Sequence, residues 1–448
     1  MVTRRLLSAD ANQRLRAGDL ENAERGLVAL VRSAAHDLNA RLRAADGLIA
    51  AGKTEGALAG YVFVAKEAAL AGHPLKSIVA CKILVNIDPG AQQFLDALGM
   101  RYGAGSQTLG RAVRLAPPDP DAEVPAAAFL PPELSADQVF DLAAQLVTSR
   151  EGLPGHPATV APIPLLSDLP PEAFGRVLGA VQLLRVAAGD TVIHEGEPGD
   201  AFFMIARGSV RVVKRTAGTG QLTVLATLGG GSIFGEMALV SGSPRGASVV
   251  AVEDADVLRF GKDALQAAAR DSKVVDQALG RFTRERLLNN LLNTHAFFKP
   301  FDRTQRQQLA GRFSAHEVEP GTVLIREGDL GRGIFLILSG EVDVTKVDGT
   351  DRVTLAVLKG GDVFGEISLI EQSTTTATVT ASRHSTVMFL AREVFDRLVQ
   401  GVPTLKEYFQ QLTEERLMDT NMMLAASRTG DGGEEVEEVL ADDDLVLV

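Results

Sequence analysis

The residues best suited to chemistry lie between Phe234 and Ser248, in the run FGEMALVSGSPRGAS. Gly235 lets the backbone approach a ligand closely, and Met237, Ala238 and Leu239 can form one helical turn whose free N–H groups face an anion. Arg245, ten residues after Gly235, adds a fork of charged donors. Glu236 can only accept hydrogen bonds, which suits a sugar hydroxyl. Pro244 fixes the turn before the arginine, and the small Gly246, Ala247 and Ser248 leave room beside the strand that follows. Phosphate would meet donors and sugar an acceptor, so the run reads as a holder for a small sugar phosphate.

The same run recurs. Phe234-Gly235-Glu236 returns as Phe364-Gly365-Glu366, an offset of 130, while Glu195-Gly196 returns as Glu327-Gly328 and Gly208 as Gly340, each at 132. The second run, Phe364 to Thr378, reads FGEISLIEQSTTTAT and places Thr374 and Thr375 where the first has Pro244 and Arg245. Loss of a buried charged partner to phosphate costs about 2 to 5 kcal/mol. The second site, Gly365, Glu366, Ile367, Ser368, Thr375, Thr376 and Ala377, is therefore expected to be weak or silent toward a phosphate. Thr376 and Thr378 keep hydroxyls for a less charged ligand.

With F-G-E, a short loop and P-R-G-A-S in register, the first run resembles the phosphate-binding cassette of cyclic nucleotide-binding domains, as in protein kinase A regulatory subunits and the catabolite activator protein. The turn motifs Ala188-Gly189-Asp190, Glu195 to Asp200 and Arg207 to Val210 resemble those of the same jelly-roll. The resemblance implies a ligand, cAMP, bound by Phe234, Gly235, Glu236, Met237, Ala238, Arg245, Gly246, Ala247 and Ser248. Family members that prefer cGMP carry a threonine directly after the cassette arginine; Gly246 stands there, so cGMP is the lesser expectation. The resemblance also implies that helices after the barrel shift on binding, with Phe282, Leu287 and Leu288 as candidates to cover the base. No cofactor is required.

Around these runs the chain reads as a multidomain α+β protein, an N-terminal all-α helical-hairpin repeat followed by two β jelly-roll barrels with flanking helices. Residues 1–103 hold Ala, Leu, Arg and Glu in a helical rhythm of about 3.6 residues. Gly18-Asp19-Leu20-Glu21-Asn22-Ala23 returns as Gly52-Lys53-Thr54-Glu55-Gly56-Ala57, an offset of 34 that resembles the tetratricopeptide repeat and implies a protein-docking surface. A plain helical bundle is the alternative. Residues 104–163 read as a proline-rich linker interrupted by one amphipathic helix, Ser135 to Thr148, with Val139, Leu142 and Leu146 on its apolar face. The first barrel is expected over 164–292 and the second, with its degenerate cassette, over 293–415. A helix end and an acidic, disordered tail occupy 416–448, with eight acidic and no basic residues from Thr429 to Val448.

Composition narrows the function. A net charge of −12 over 448 residues argues against general nucleic-acid affinity. No apolar run approaches the roughly 20 residues needed to cross a bilayer, and Met1-Val2-Thr3-Arg4-Arg5 lacks the apolar region of a secretory signal, so a cytoplasmic protein without membrane insertion is expected. The single cysteine, Cys81, reads as core, and the seven histidines stand at no metal-ligand spacing. Nothing pairs a nucleophile with a base, so no enzyme, catalytic residue or metal is expected. The resemblance therefore implies a cyclic nucleotide receptor whose first barrel is expected to control an unknown protein partner of the helical repeat, with the acidic tail as a second docking segment. Two alternatives stay open, a scaffold with vestigial barrels and an inhibitor like a kinase regulatory subunit. Against the latter, only Thr148-Ser149-Arg150-Glu151 occupies the region of a basic inhibitor segment. A catabolite-activator-like transcription factor would need a helix-turn-helix after the barrel, and the residues beyond Ala426 are acidic and too few.

Overall fold

Helix ends in the N-terminal region follow its glycines. In the computed structural model, which describes residues 2–111, 113–215, 221–236, 244–270, 272–349 and 351–428, α1 (Arg4–Ala17), α2 (Leu20–Ser33), α3 (Leu38–Ala50), α4 (Thr54–Leu70), α5 (Pro74–Ile87) and α6 (Gln92–Tyr102) succeed one another. Gly18 and Gly52, the repeat pair, stand at φ 79° and 78°, the left-handed conformation that stops a helix and favours glycine. Ala23 and Ala57, also 34 apart, are both fully buried. Asp37 starts α3 by accepting from the N–H of Ala40 at 3.0 Å. At the crossing of α2 and α3, Gly47 leaves room for Glu24, because a Cβ there would collide with the Glu24 carboxyl. Glu24 is fully buried and, among the described residues, neither of its oxygens has a hydrogen-bond partner; burial, with Asp46 nearby, pushes its pKa well up.

The proline-rich stretch after α6 lies against these helices. Leu115 N–H donates to Ala71 O at 2.9 Å, Gly110 N–H to Val160 O at 3.1 Å and Val124 N–H to Val2 O at 3.0 Å. Within it, α7 (Ala136–Val147) opens with a capping box in which Ser135 and Gln138 satisfy each other's backbone N–H groups. Its buried face is Val139, Phe140, Ala143 and Val147, which corrects the sequence expectation: Leu142 is 39% exposed and Leu146 only partly buried. A stripe advancing by three and four fits both sets, and the choice falls to Arg41, which donates to Leu146 O at 2.7 Å and Val147 O at 3.0 Å and so sets the rotation of α7.

After α8 (Pro171–Ala180) come β1 (Gln182–Val186), β2 (Thr191–Ile193), β3 (Ala201–Arg207), β4 (Ser209–Arg215), β5 (Leu222–Gly229), β6 (Ile233–Phe234), β7 (Ser248–Ala251) and β8 (Ala255–Gly261), then α9 (Lys262–Arg270) and α10 (Lys273–Thr294). They form two sheets, ordered β1-β8-β3-β6 and β2-β7-β4-β5. The second copy contains α11 (Arg303–Ala310), β9 (Ser314–Val318), β10 (Val323–Ile325), β11 (Gly333–Ser339), β12 (Glu341–Asp348), β13 (Asp351–Lys359), β14 (Val363–Phe364), α12 (Glu366–Ile370), β15 (Thr378–Ala381), β16 (Ser385–Ala391), α13 (Arg392–Gly401) and α14 (Pro403–Arg428). Its sheets run β14-β11-β16-β9 and β10-β15-β12-β13, the same order strand for strand. Even the irregularities repeat: the register shifts between Ile205 and Arg207 and again between Ile337 and Ser339.

Two compact units result, Met1–Glu236 with Ala247–Phe282, and Met237–Gly246 with Thr283–Val448. The first barrel has a core of Phe203, Ile205, Val210, Val212, Phe234, Val249 and Val257. In the second unit, Ile337, Val342, Phe364, Val379 and Val387 fill the barrel, and Phe297, Phe298, Phe395 and Phe409 lie in a larger cluster that includes the flanking helices. The acidic stretch Thr429 to Val448 lies outside the described residues. Among the described residues, no helix is long and apolar enough to cross a membrane, and no group of three His, Cys, Asp or Glu could hold a metal ion.

Candidate functional site

Each cassette begins where a two-residue strand ends against the barrel. Phe203 and Phe234 face each other across β3 and β6 with rings 5.1 Å apart, and Phe335 and Phe364 do so across β11 and β14 at 4.9 Å. The next glycine turns the chain: Gly235 has φ 78° and Gly365 φ 89°. At Gly365 a side chain is excluded twice, by this conformation and by Gly333 O, which would lie 2.8 Å from a Cβ. The glutamates that follow are both buried, Glu236 at 7% exposure and Glu366 at 1%.

In the second copy the expected helical turn is α12, which begins at Glu366. In the first, Met237 and Ala238 lie outside the described residues, so the cassette is described as Phe234 to Glu236 and from Pro244 onward. Arg245 is only 6% exposed, a rare state for arginine outside a binding or paired position. Gly246 is half-buried, and Ala247 belongs to the barrel core. Ser248 Oγ accepts from the N–H of Glu195 at 2.9 Å, and its counterpart Thr378 Oγ1 accepts from Glu327 N–H at 3.1 Å.

Thr375 has a different occupation from the arginine it replaces. Its hydroxyl donates to Arg326 O and lies 3.2 Å from Asp329 O, while its own N–H donates to Asp329 O at 2.9 Å. The side chain thus ties the cassette to the turn before β11.

In the second barrel Gly365, Glu366, Ile367, Ser368, Thr375, Thr376 and Ala377 all line one cavity of about 130 Å³. Its remaining walls come from β10, β12, β13, β14 and β15, and from Arg416, Asp419 and Thr420 of α14. Arg416 Nη1 donates to Glu366 Oε1 at 2.8 Å and to Val363 O at 2.6 Å. Sequence reasoning missed this arginine. The signal was present: Leu405, Phe409 and Leu412 mark the inner stripe of α14, and Arg416 is the next residue on it. Thr413, at 1% exposure, is buried beside it, and Leu417 is only half-buried.

The candidates for covering the base fall into cores. Phe282 packs against Phe202 at 5.3 Å, which is itself stacked on Phe260 at 4.6 Å. Leu287 and Leu288 join the aromatic cluster of the second unit.

Comparison with known proteins bears on both copies. The cyclic nucleotide-binding domain matches residues 183–272 and 315–401. The chain is 31% identical over 238 residues to the cAMP-dependent protein kinase regulatory subunit of Yarrowia lipolytica, covering 53% of this chain and 59% of that protein. It is 30% identical over 238 residues to the Dictyostelium discoideum protein of the same name, covering 52% and 70%. The regulatory domain of Toxoplasma gondii PKA, co-crystallised with cAMP, is 26% identical with a TM-score of 0.27, covering 56% of this chain and 92% of that one. The chain spans less than two thirds of the length of most of the curated relatives it matches. The duplication seen strand by strand is thus matched copy by copy in sequence, and the chain belongs to the cyclic nucleotide-binding domain family, with two of its domains in tandem.

Proposed function

We propose that the protein is a non-enzymatic cAMP receptor in which Arg245 meets the cyclic phosphate, Glu236 meets the ribose, and binding alters a protein contact of the N-terminal helices. The observation that carries this reading is the contrast at one position. Arg245 is retained and buried in the first copy, whereas the second has Thr375 with its hydroxyl committed to backbone carbonyls. A buried guanidinium is suited to a compact anion, since its fork matches two phosphate oxygens. Gly246 offers no hydroxyl to a guanine amino group, which favours cAMP over cGMP.

Coupling to the helical segment is supported by covalent and packed continuity. The first barrel and α1 to α6 share one unit, joined by the pair of Arg185 in β1 with Asp46 in α3 at 2.8 Å. The barrel leads from β8 into α9 and α10, which in this reading respond to the ligand. A protein confined to the cytoplasm would suit such a receptor.

A second reading, a regulatory subunit that holds a kinase catalytic chain, is favoured by the names of the relatives. The two readings separate by experiment. Isothermal titration with cAMP and cGMP should give heat with cAMP that disappears in Arg245→Ala; no heat with either nucleotide would leave the scaffold reading. Affinity capture with and without cAMP identifies the partner, and a kinase released by cAMP would establish the second reading.

A further inference from the structure

We propose that a cavity between the start of α5, the proline-rich stretch and the first barrel binds a small phosphate monoester, with Lys76 and Arg114 as its cations. This rests on the first unit alone and does not depend on what the cassette binds.

Hydrogen bonds bring the two cations to one cavity. Leu115 N–H donates to Ala71 O at 2.9 Å and His73 Nε2 lies 2.7 Å from Leu115 O, so the segment carrying Arg114 is pinned to the start of α5. Gly72 permits this approach: it stands at φ 82°, and a Cβ there would lie 2.9 Å from Val113 O and 3.1 Å from Arg114 Cβ. The barrel closes the cavity with the turns at Gly208 and at Gly230-Gly231. Lys76 is half-buried within it, and Arg114 stands at the exposed mouth.

Charge decides what kind of ligand. Among the described residues, the titratable ones that line the cavity are His73, Lys76, Arg114 and Arg207, and no carboxylate joins them. Arg207 is taken by Asp256 at 2.7 Å, and His73 donates to Leu115 O. The side chains of Lys76 and Arg114 make no hydrogen bond or ion pair among the described residues. Asp37, the carboxylate that acts on Lys76, is already held by Arg4 and by the N–H of Ala40. Burial pulls the Lys76 ammonium down from its ordinary value, with Asp37 opposing and Arg114 adding repulsion. The cavity therefore gathers positive charge that the chain leaves unneutralised. A phosphate monoester carries about two negative charges at neutral pH and three acceptor oxygens, which suits a guanidinium fork beside an ammonium.

Size and lining set the rest. A volume of about 620 Å³ is in the range of small-molecule sites, so the ester's carbon skeleton fits as well as its phosphate. Pro74, Pro162 and Pro164 give that skeleton apolar walls. Asn39 also lines the cavity, and its Oδ1 is buried without a partner among the described residues, so a ligand hydroxyl has an acceptor.

The test is isothermal titration of the full chain carrying Arg245→Ala, which removes the cassette cation, with ribose phosphate, inorganic phosphate, ribose and succinate at low ionic strength. Ribose phosphate should give heat, inorganic phosphate should bind more weakly, and ribose should give none. Lys76→Gln should weaken binding about tenfold to a hundredfold, the range for a hydrogen bond to a charged group, and Arg114→Gln by a smaller factor because of its exposure. Lys53→Gln, which removes a cation outside the cavity, should leave binding unchanged. Without ligand, Lys76→Gln and Arg114→Gln should unfold no earlier than the parent, since neither side chain holds a partner. With ribose phosphate the parent's unfolding midpoint should rise and that of Lys76→Gln should not. Absence of heat from ribose phosphate, binding that survives Lys76→Gln, an equal loss in Lys53→Gln, or equal binding of succinate or of inorganic phosphate would each overturn the proposal. Heat from cAMP in the unsubstituted chain, lost in Arg245→Ala, tests the cassette separately.

Discussion

Arg185 Nη1 lies 2.8 Å from Asp46 Oδ1, joining a strand of the first barrel to a helix of the N-terminal hairpins. Behind this pair is a shared interior cluster. Asp256, fully buried, faces Arg207 at 2.7 Å and both Arg43 and Arg185 at 3.8 Å, while Tyr61 donates to Asp46 at 2.7 Å. Burial raises the Asp256 pKa, and Arg43 and Arg185 draw it back. Two carboxylates and three guanidiniums in one interior are stable only as a set, because each charge would be costly alone.

Asp256→Ala is expected to destabilise the first unit by about 3 to 5 kcal/mol, since it strands Arg207, itself 9% exposed, without its carboxylate. Urea unfolding measures this. A double-mutant cycle on Asp46 and Arg185 should give a coupling of about 0.5 to 3 kcal/mol. Zero coupling would mean that the hairpins and barrel are held by apolar packing alone.

The cassette position separates binding from stability. Arg245→Ala should lower cAMP affinity by at least about thirtyfold with an intact fold, as for removal of a buried charged partner. Thr375→Ala should leave cAMP affinity unchanged yet lower stability by about 1 to 2 kcal/mol, because the hydrogen bonds of its hydroxyl to the carbonyls of Arg326 and Asp329 are lost. From sequence alone Thr375 reads only as the loss of the cassette arginine; its hydrogen bonds make it a structural tie. Calorimetry and thermal unfolding of both variants decide between the two roles.

Much of the barrel architecture was legible because it is written in short-range rules. The motifs that recur at offsets of 130 and 132 return as two barrels with the same strand order, since turn glycines act locally. What the sequence hid are relations made across the chain. Arg416 joins Glu366 from fifty residues away, and Arg41 rotates α7 by its terminal carbonyls. Spacing puts Arg416 on the inner stripe of α14 but names no partner for it, and a charge on an apolar stripe reads as surface until its partner is known.

Glu24 offers a stabilising substitution. Its raised pKa means that, as pH rises above the ordinary carboxyl value of 4.5, the unfolded chain ionises while the folded one keeps its proton, so stability falls. Glu24→Met removes that loss and two unpartnered oxygens together. The variant should be more stable than the parent by about 1 to 3 kcal/mol at neutral pH, with the difference shrinking toward pH 4. Urea unfolding across this range checks it, and a gain that does not vary with pH would place the benefit in packing alone.

Two histidines make acid the opposite hazard. Burial pulls His73 down to about 4, with Lys76 adding repulsion, and pulls His295 to about 4. His73 Nε2 lies 2.7 Å from Leu115 O and must donate, while His295 Nδ1 accepts from Phe297 N–H at 3.1 Å. Above the unfolded value of 6.5 both are neutral in either state and contribute no pH dependence. As pH falls from 6.5 toward 4 the unfolded chain takes up protons that the folded chain refuses, and stability is lost. His73→Gln and His295→Asn keep a donor and an acceptor respectively but do not titrate. Each should flatten the decline of unfolding free energy between pH 6.5 and pH 5, the first in the N-terminal unit and the second in the C-terminal one. Profiles parallel to the parent would show that carboxylates, not these rings, govern the response to acid.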